Sequence, residues 1–332
     1  MRSRERGVAL ISIMLVVVIA TVLAVQMTNE QRLVIQRTAN HFDAAQARQY
    51  ALGGEELARQ ILRADFEEQP GIDSNADAWA NPELQFEFEN GAVEVRIEDL
   101  QGRLNLNNLY PLPRDGGDRG GDASLPMLPV LSRMMGLLGV DPVFSERTMD
   151  WIDPDDGKGS LGAEDFDYLG LEVPYRAADR PIADVSELRL LLEMTPEAYE
   201  VLSPFVAALP ASGTTVNVNT APAPVIAALA ETLTLESAEA LVAARDQGGV
   251  YESVTQFLQD PILAGSGLAP DGLGVQSGFF RVSVRARFLD RFAYLTSIVQ
   301  RNPTDGSMRV VYRDMSKQIL PIAAPGSSNG DG

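Results

Sequence analysis

The sequence predicts an α+β protein: one long N-terminal helix packed on an antiparallel sheet, with a large α-helical unit inserted into that sheet. Three observations predict it. A helical pattern without proline runs through the first sixty residues. Alternating apolar runs stand near 84–99 and return after 277. Between them, Gly102 to Gln276 reads as a series of short helices and is far too long to be a loop. The whole chain, at 332 residues and 45% hydrophobic content, can fill about two cores.

Bulk chemistry narrows the function. The formal net charge is −19, and such a surface repels phosphate, so nucleic acid is not an expected partner. There is no cysteine, hence no disulfide, thiolate ligand or cysteine nucleophile. The single histidine, His41, argues against a Ser-His-Asp triad or a multi-histidine zinc site.

The chain opens "MRSRERGVALISIMLVVVIATVLAVQ". Arg2, Arg4 and Arg6 hold the N-terminus in the cytoplasm. No charge falls between Val8 and Val25. Extended to Met27, the apolar run reaches the roughly 20 residues that span a bilayer. A secretory signal would have a shorter core and small residues at its cleavage site; "TVLAVQM" supplies a poor one. Helical pattern then continues to about Arg63, with Leu33, Arg37, Phe42, Ala45, Tyr50, Leu57, Ile61 and Leu62 able to form a spaced face. Gly53-Gly54 is a soft spot in it. A basic leader, a glycine, an apolar run and a continuous helix together resemble a type IV pilin-like N-terminus. That resemblance implies cleavage by a prepilin peptidase between Gly7 and Val8, with Val8 as the first mature residue and a candidate for amine methylation. The family motif usually carries Glu at the fifth mature position; this chain has Ser12.

"LQFEFENGAVEVRIEDL" alternates as half-buried strands do, with Asn90-Gly91 between the runs as a hairpin signal. Strand pattern returns in Phe280, Val282, Val284 and Ala286, then in Phe292 to Val299, then in Val310 to Tyr312 after the "NPTDGS" turn. In the middle, "GRLNLNNL" at 102–109 and "TTVNVNTA" at 214–221 share an apolar-Asn-apolar-Asn pattern just before helices. Two independent helix caps or a structural duplication would each produce it. The segment from Val216 onward resembles a helix-hairpin-helix, or SAM-like, module. Its hairpin "AETLTLES" lacks glycine and carries Glu231 and Glu236, which suits protein packing better than phosphate.

"MDWIDPDDGKGSLGAEDFDYLG" sets Asp150, Asp153, Asp155, Asp156, Glu164, Asp165 and Asp167 against Lys158 alone. Carboxylates this dense need solvent or a hard cation, and Ca²⁺ takes six to eight oxygens at flexible geometry. Asp153 and Asp155 are the first candidate ligands. Gly157, Gly159 and Gly162 let the loop curl back and bring Glu164 and Asp165 to the same ion, with Asp150 beside them. The spacing is not that of an EF-hand. A solvated acidic loop is the plain alternative. Trp151, Ile152, Phe166 and Tyr168 argue for a buried one, which needs a counter-charge. A paired-carboxylate hydrolase site is the enzymatic reading, and no aromatic sugar platform supports it.

Leader, helix-plus-sheet scaffold, helical insertion and acidic knot together resemble the general secretion pathway protein K family, the minor pseudopilins of type II secretion. The resemblance implies a non-enzymatic subunit at the pseudopilus tip that initiates assembly and supports export across the outer membrane. It implies bound Ca²⁺ and contact with the I and J minor pseudopilins, then with H and the major pseudopilin. It also implies a single pass through the inner membrane with the C-terminal part in the periplasm. The expected organisation is a leader at 1–7, a membrane helix at 8–27, and helix and first strands at 28–101. The inserted domain follows at 102–276, the remaining strands at 277–316 and a flexible tail at 317–332. A tip subunit has no preceding N-terminal amine to neutralise, which accounts for Ser12. The competing readings are a type IV minor pilin, a membrane-anchored periplasmic hydrolase and a DNA-binding pilin.

Overall fold

The computed structural model describes residues 2–82, 84–110 and 127–316, with side chains from Ile13 onward. The "PRDGGDRGGDASLP" loop, the tail at 317–332 and the side chains of Val8 and Ser12 lie outside the described residues. In chain order, α1 (Arg2–Glu68) is followed by β1 (Leu84–Phe88) and β2 (Gly91–Asp99). The insertion carries β3 (Leu104–Asn105), α2 (Met127–Leu137), α3 (Val143–Ile152), α4 (Asp165–Leu169), α5 (Pro196–Leu202) and β4 (Val206–Ala207). It continues with β5 (Val216–Asn217), α6 (Ala223–Ala228), α7 (Leu235–Asp246), α8 (Val254–Leu258) and β6 (Leu273–Gly274). The scaffold resumes with β7 (Phe279–Phe288), β8 (Arg291–Arg301) and β9 (Met308–Asp314).

At 67 residues, α1 is about 100 Å long. Its N-terminal part, with a mean hydropathy of 1.8 in its most apolar window, is long and apolar enough to cross a membrane. The helix passes through Gly53-Gly54 without a break, because the sheet holds it there. Ala47, Ala51, Gly54, Ala58 and Leu62 are buried along one stripe. A Cβ on Gly54 would stand 2.6 Å from Val284 Cγ1 and 2.7 Å from Val93 Cγ1, so glycine lets the sheet approach. Leu33 and Phe42, expected on the packing face, are exposed.

The sheet has five antiparallel strands in the order β1-β2-β7-β8-β9. Val93, Val95 and Ile97 of β2, Val282, Val284 and Ala286 of β7, and Ala293, Leu295 and Val299 of β8 form its core with α1. Period-two alternation put the β2 and β7 residues on one face, as read from sequence, whereas on β8 the inward face is Ala293, Leu295 and Val299, and Phe292, expected to lead that strand's pattern, is 54% exposed. One detail differs at the first hairpin. Phe88 pairs with Gly91, so the loop is Glu89-Asn90 and Gly91 already belongs to β2. A Cβ there would lie 2.1 Å from the Arg287 carbonyl oxygen, so Gly91 serves strand approach rather than the turn.

β2 and β7 pair directly across the insertion, Asp99 opposite Phe280. The insertion therefore leaves and re-enters at the position of a hairpin turn. It contains its own core and two copies of one plan. In each, an opening strand pairs in parallel with a closing strand: β3 with β4, and β5 with β6. In each, the first Asn of the Asn-x-Asn pair accepts the amide of the second, Asn107 N on Asn105 and Asn219 N on Asn217. The second Asn makes a reciprocal amide pair with a distant backbone: Asn107 with Ile182 and Asn219 with Tyr251. Two residues later each chain caps a helical turn, through Asp184 and through Ser253. The repeated motif is a duplication, and its asparagines cross-link loops as well as cap turns.

Polar bonds fix the insertion to the scaffold. Asp99 Oδ2 accepts from Asn217 Nδ2 at 3.0 Å, Thr220 Oγ1 at 2.6 Å and Ser277 Oγ at 2.6 Å. Leu100, Phe279 and Ile298 pack with Ala207, Leu209 and Ala211 in a small separate cluster.

Candidate functional site

The acidic knot begins in the last turn of α3 and ends beyond α4. The α3 helix stops at Ile152, and Asp153 turns to extended backbone while its amide still donates to Met149 O at 3.0 Å. Trp151 and Tyr168 meet edge-on with ring centres 5.2 Å apart, and both are buried in the core of the insertion. Tyr175 stacks beside them, its hydroxyl donating to Leu190 O at 2.7 Å. These aromatics anchor the two ends of the loop. Phe166 does not: it is 89% exposed, a correction to its expected place in the core. On the short α4 helix, Tyr168 takes the inward face and Phe166 the outward one.

The glycines admit the carboxylates rather than merely loosening the loop. Asp150 Oδ2 accepts Gly159 N at 3.0 Å, and a Cβ on Gly162 would fall 1.6 Å from that same oxygen. Glu146, one turn before Asp150, accepts Leu161 N at 2.7 Å. Asp155 is exposed and accepts Gly157 N at 2.8 Å.

The remaining acids divide into two sets. Asp167 is held by Lys158 at 2.9 Å, whose bonds keep its carboxyl below the ordinary range. Asp165 is held by Arg176 at 2.6 Å and by Ala177 N at 3.0 Å. Asp153 and Glu164 are different. Both are buried, and Asp153 Oδ1 and Glu164 Oε1 have no hydrogen-bond partner. Burial, then the charges of Asp155, Asp150 and Asp179, push the Asp153 carboxyl up to about 6. Burial, then Asp150, Asp153, Asp179 and Asp156, push Glu164 up to about 7. Buried oxygens of like charge without donors suit a hard cation that takes oxygen ligands. The structure therefore keeps Asp150, Asp153 and Glu164 buried in the knot, leaves Asp155 at its rim, and gives Asp165 to an arginine.

Two acids of this group carried no usable sequence signal. Glu146 belongs to an ordinary helical pattern. Asp179 stands alone in "YRAADR", and folding returns it because its amide donates to Trp151 O at 3.1 Å, with φ of 49°.

Two family models, both described as Type II secretion system (T2SS), protein K, match residues 102–211 and 216–276, which are the two copies found in the insertion. Type II secretion system protein K of Pseudomonas aeruginosa is 37% identical over 99% of this chain and 98% of its own length. The Klebsiella pneumoniae protein of the same name is 36% identical over 79% of this chain and 82% of its own. Among solved structures, a chain in the crystal structure of the GspK-GspI-GspJ complex from the type 2 secretion system of enterotoxigenic Escherichia coli superposes with a TM-score of 0.72. It is 26% identical, and the match covers 85% of this chain and 100% of that one.

Proposed function

The chain belongs to the type II secretion system protein K family, and from that premise we propose that it is the minor pseudopilin at the tip of the pseudopilus, where it initiates assembly and supports protein export. The observation that carries this reading is the match to a chain solved together with GspI and GspJ, which extends over all of that chain. The role is structural rather than catalytic. The direct partners are the I and J minor pseudopilins, followed by H and the major pseudopilin. α1 anchors the protein once in the inner membrane, with the sheet and insertion in the periplasm. Prepilin peptidase removes residues 1–7, and the new Val8 amine is methylated. The scaffold is pilin-like, and the two copies in the insertion are SAM-like modules.

The acidic knot holds Ca²⁺. Asp153 and Glu164, with their unbonded buried oxygens, are the central ligands, supported by Asp150 and Asp155. Lys158 and Arg176 are taken by Asp167 and Asp165, so the ion supplies the positive charge for Asp153 and Glu164 and fixes the loop between α3 and α4. Asp165, paired with Arg176, is the weakest of the expected ligands.

Co-purification of the full chain with the I- and J-type pseudopilins of its own organism tests the partner assignment. Recovery of a stable ternary complex is expected. Failure of the full chain to hold either one, under conditions where I and J hold each other, would overturn it. Mass measurement of the mature chain should place its first residue at Val8; a chain that begins at Met1 or near Gln26 would refute the processing.

A further inference from the structure

A second group of acids lies outside the knot, where the loop after α1 folds back on the helix end. Asp65, Asp73 and Asp77 each bring one carboxylate oxygen within 4.8 Å of the others. Two of the three are enclosed, and Asp77 is half-buried. Asp73 is fully buried, and the Asp65 side chain keeps only 10% of its exposure. Asp65 Oδ2 is buried with no hydrogen-bond donor.

Local charge points the same way. Arg301 of β8 donates through Nη2 to both Asp73 oxygens, while its Nη1 stays 3.7 Å from Asp65 Oδ2, beyond hydrogen-bond reach. One guanidinium thus serves Asp73 and Asp65, and its hydrogen bonds and ion pairs among the described residues do not reach Asp77. α1 also ends here with no basic residue in its last turn, although Glu67 and Glu68 lie in that turn. The negative end of the helix dipole adds to the same field. Asp77 is already oriented, since Ser74 N and Trp79 Nε1 donate to its Oδ2 at 2.7 and 3.1 Å.

We infer that Asp65, Asp73 and Asp77 form a divalent-cation site of the Ca²⁺ type, separate from the acidic knot, at the junction of α1, the 71–77 loop and the sheet. Each carboxylate offers a hard oxygen, and the buried oxygen of Asp65 is the ligand that the protein itself leaves unfilled. The site would clamp more than the helix end. Asp73 N donates to Val275 O at 2.8 Å, Asp73 O accepts from Asn217 Nδ2 at 3.0 Å, and Asp73 Oδ2 accepts from Ser277 N at 2.7 Å. A cation here ties the end of α1 to the place where the insertion rejoins the sheet.

The two tryptophans of the chain make the two acidic sites separable. Trp79 is bonded to the Asp77 carboxylate, and Trp151 sits beside the knot. The experiment titrates Tb³⁺ into the full chain in detergent and reads luminescence sensitised by tryptophan. A W151F chain should retain a signal through Trp79 that saturates and that Ca²⁺ displaces. D65N should weaken that binding ~10-fold or more, as loss of a coordinating or orienting group commonly does. D77N in the same background serves if D65N does not fold. A W151F chain without a Ca²⁺-displaceable signal overturns the inference, and so does one in which folded D65N or D77N binds Tb³⁺ as tightly as before. In either case Arg301 and a proton are the whole counter-charge. The Tb³⁺ signal of a W79F chain reports the knot alone, so failure at one site is read independently of the other.

Discussion

Asp153 and Glu164 are enclosed carboxylates with nothing donating to one oxygen of each, and their chemistry without an ion is that of acids held toward the neutral form. Both carboxyls are raised above their unfolded values. Their contribution to the metal-free fold is therefore present at acid pH and is lost as pH rises through about 6 and about 7. A bound cation reverses this, because it needs both groups ionised. Two outcomes are expected. In chelator, thermal stability should fall from about pH 4 to about pH 7 and level off above it, and E164Q should flatten that fall. With Ca²⁺ present, the melting temperature should rise, by the equivalent of about 2.7 kcal/mol at 100-fold excess over Kd, and more at pH 8 than at pH 5.5. Melting curves with and without chelator across pH check both; identical curves would leave the knot a solvated loop. Much of this site was legible because its acids are dense in sequence. What was not legible is how the acids divide. Lys158 and Arg176 each claim one carboxylate only after the loop closes. Asp179 arrives from a segment whose composition says nothing.

The packing of α1 on the sheet turns on two neighbouring glycines that the sequence alone could not tell apart. Gly53 faces open space, with nothing within 4 Å of an added Cβ, whereas Gly54 lies against Val284 and Val93. Alanine is better than glycine inside a helix by about 1 kcal/mol. G53A should therefore stabilise the protein by up to that amount. At Gly54 the same propensity gain meets overpacking, which typically costs about 1–3 kcal/mol, so G54A should destabilise it. Chemical denaturation of the pair is the check, and equal shifts would mean that the helix is not seated as closely as described. The helix was legible from its length and pattern. Its contact face was legible only in part: Tyr50, Ile61 and Leu62 do pack on the sheet, but Ala47, Ala51 and Ala58 carry little hydropathy, and the large apolar residues Leu33 and Phe42 are exposed. The packing stripe was chosen for small size rather than for apolar area. Glu55, buried on the same helix, bonds Ser297 Oγ and pairs with Arg313 at 2.6 Å. Burial disfavours its charge, yet those bonds outweigh burial and hold its carboxyl below the usual range. Its contribution is thus full at neutral pH and fades as pH falls through its folded value. E55Q should lose about 1–2 kcal/mol at neutral pH, and the gap to the unmodified protein should close on acidification.

At the scale of the molecule, the insertion behaves as an elaborated hairpin turn. The two strand sets read as one sheet in sequence because their alternation matches. The topology makes that reading physical, since Asp99 lies opposite Phe280 and Leu100 N donates to Phe279 O at 3.0 Å. Replacing residues 101–278 with Asn-Gly should close the chain as a two-residue hairpin in that register. Asp99 would lose Asn217, Thr220 and Ser277 together, but it would also regain water, so no buried charge is stranded. Leu100, Phe279 and Ile298 would lose their cover from the insertion, at about 1–3 kcal/mol for each side chain exposed. The shortened chain should still fold, with strand content intact by circular dichroism and a lower melting temperature. This makes it a clean test of the tip assignment. The proposed tip placement requires that a domain as long as 102–276 find room only at the end of a fibre, whose interior subunits have neighbours on both sides. The full chain should then be labelled only at fibre ends. The shortened chain, freed of that bulk, should start fewer fibres and lose its confinement to the ends. Labelling of the full chain along the shaft, or normal fibre number and length with a folded shortened chain at the tip, would show that the insertion does not set the position.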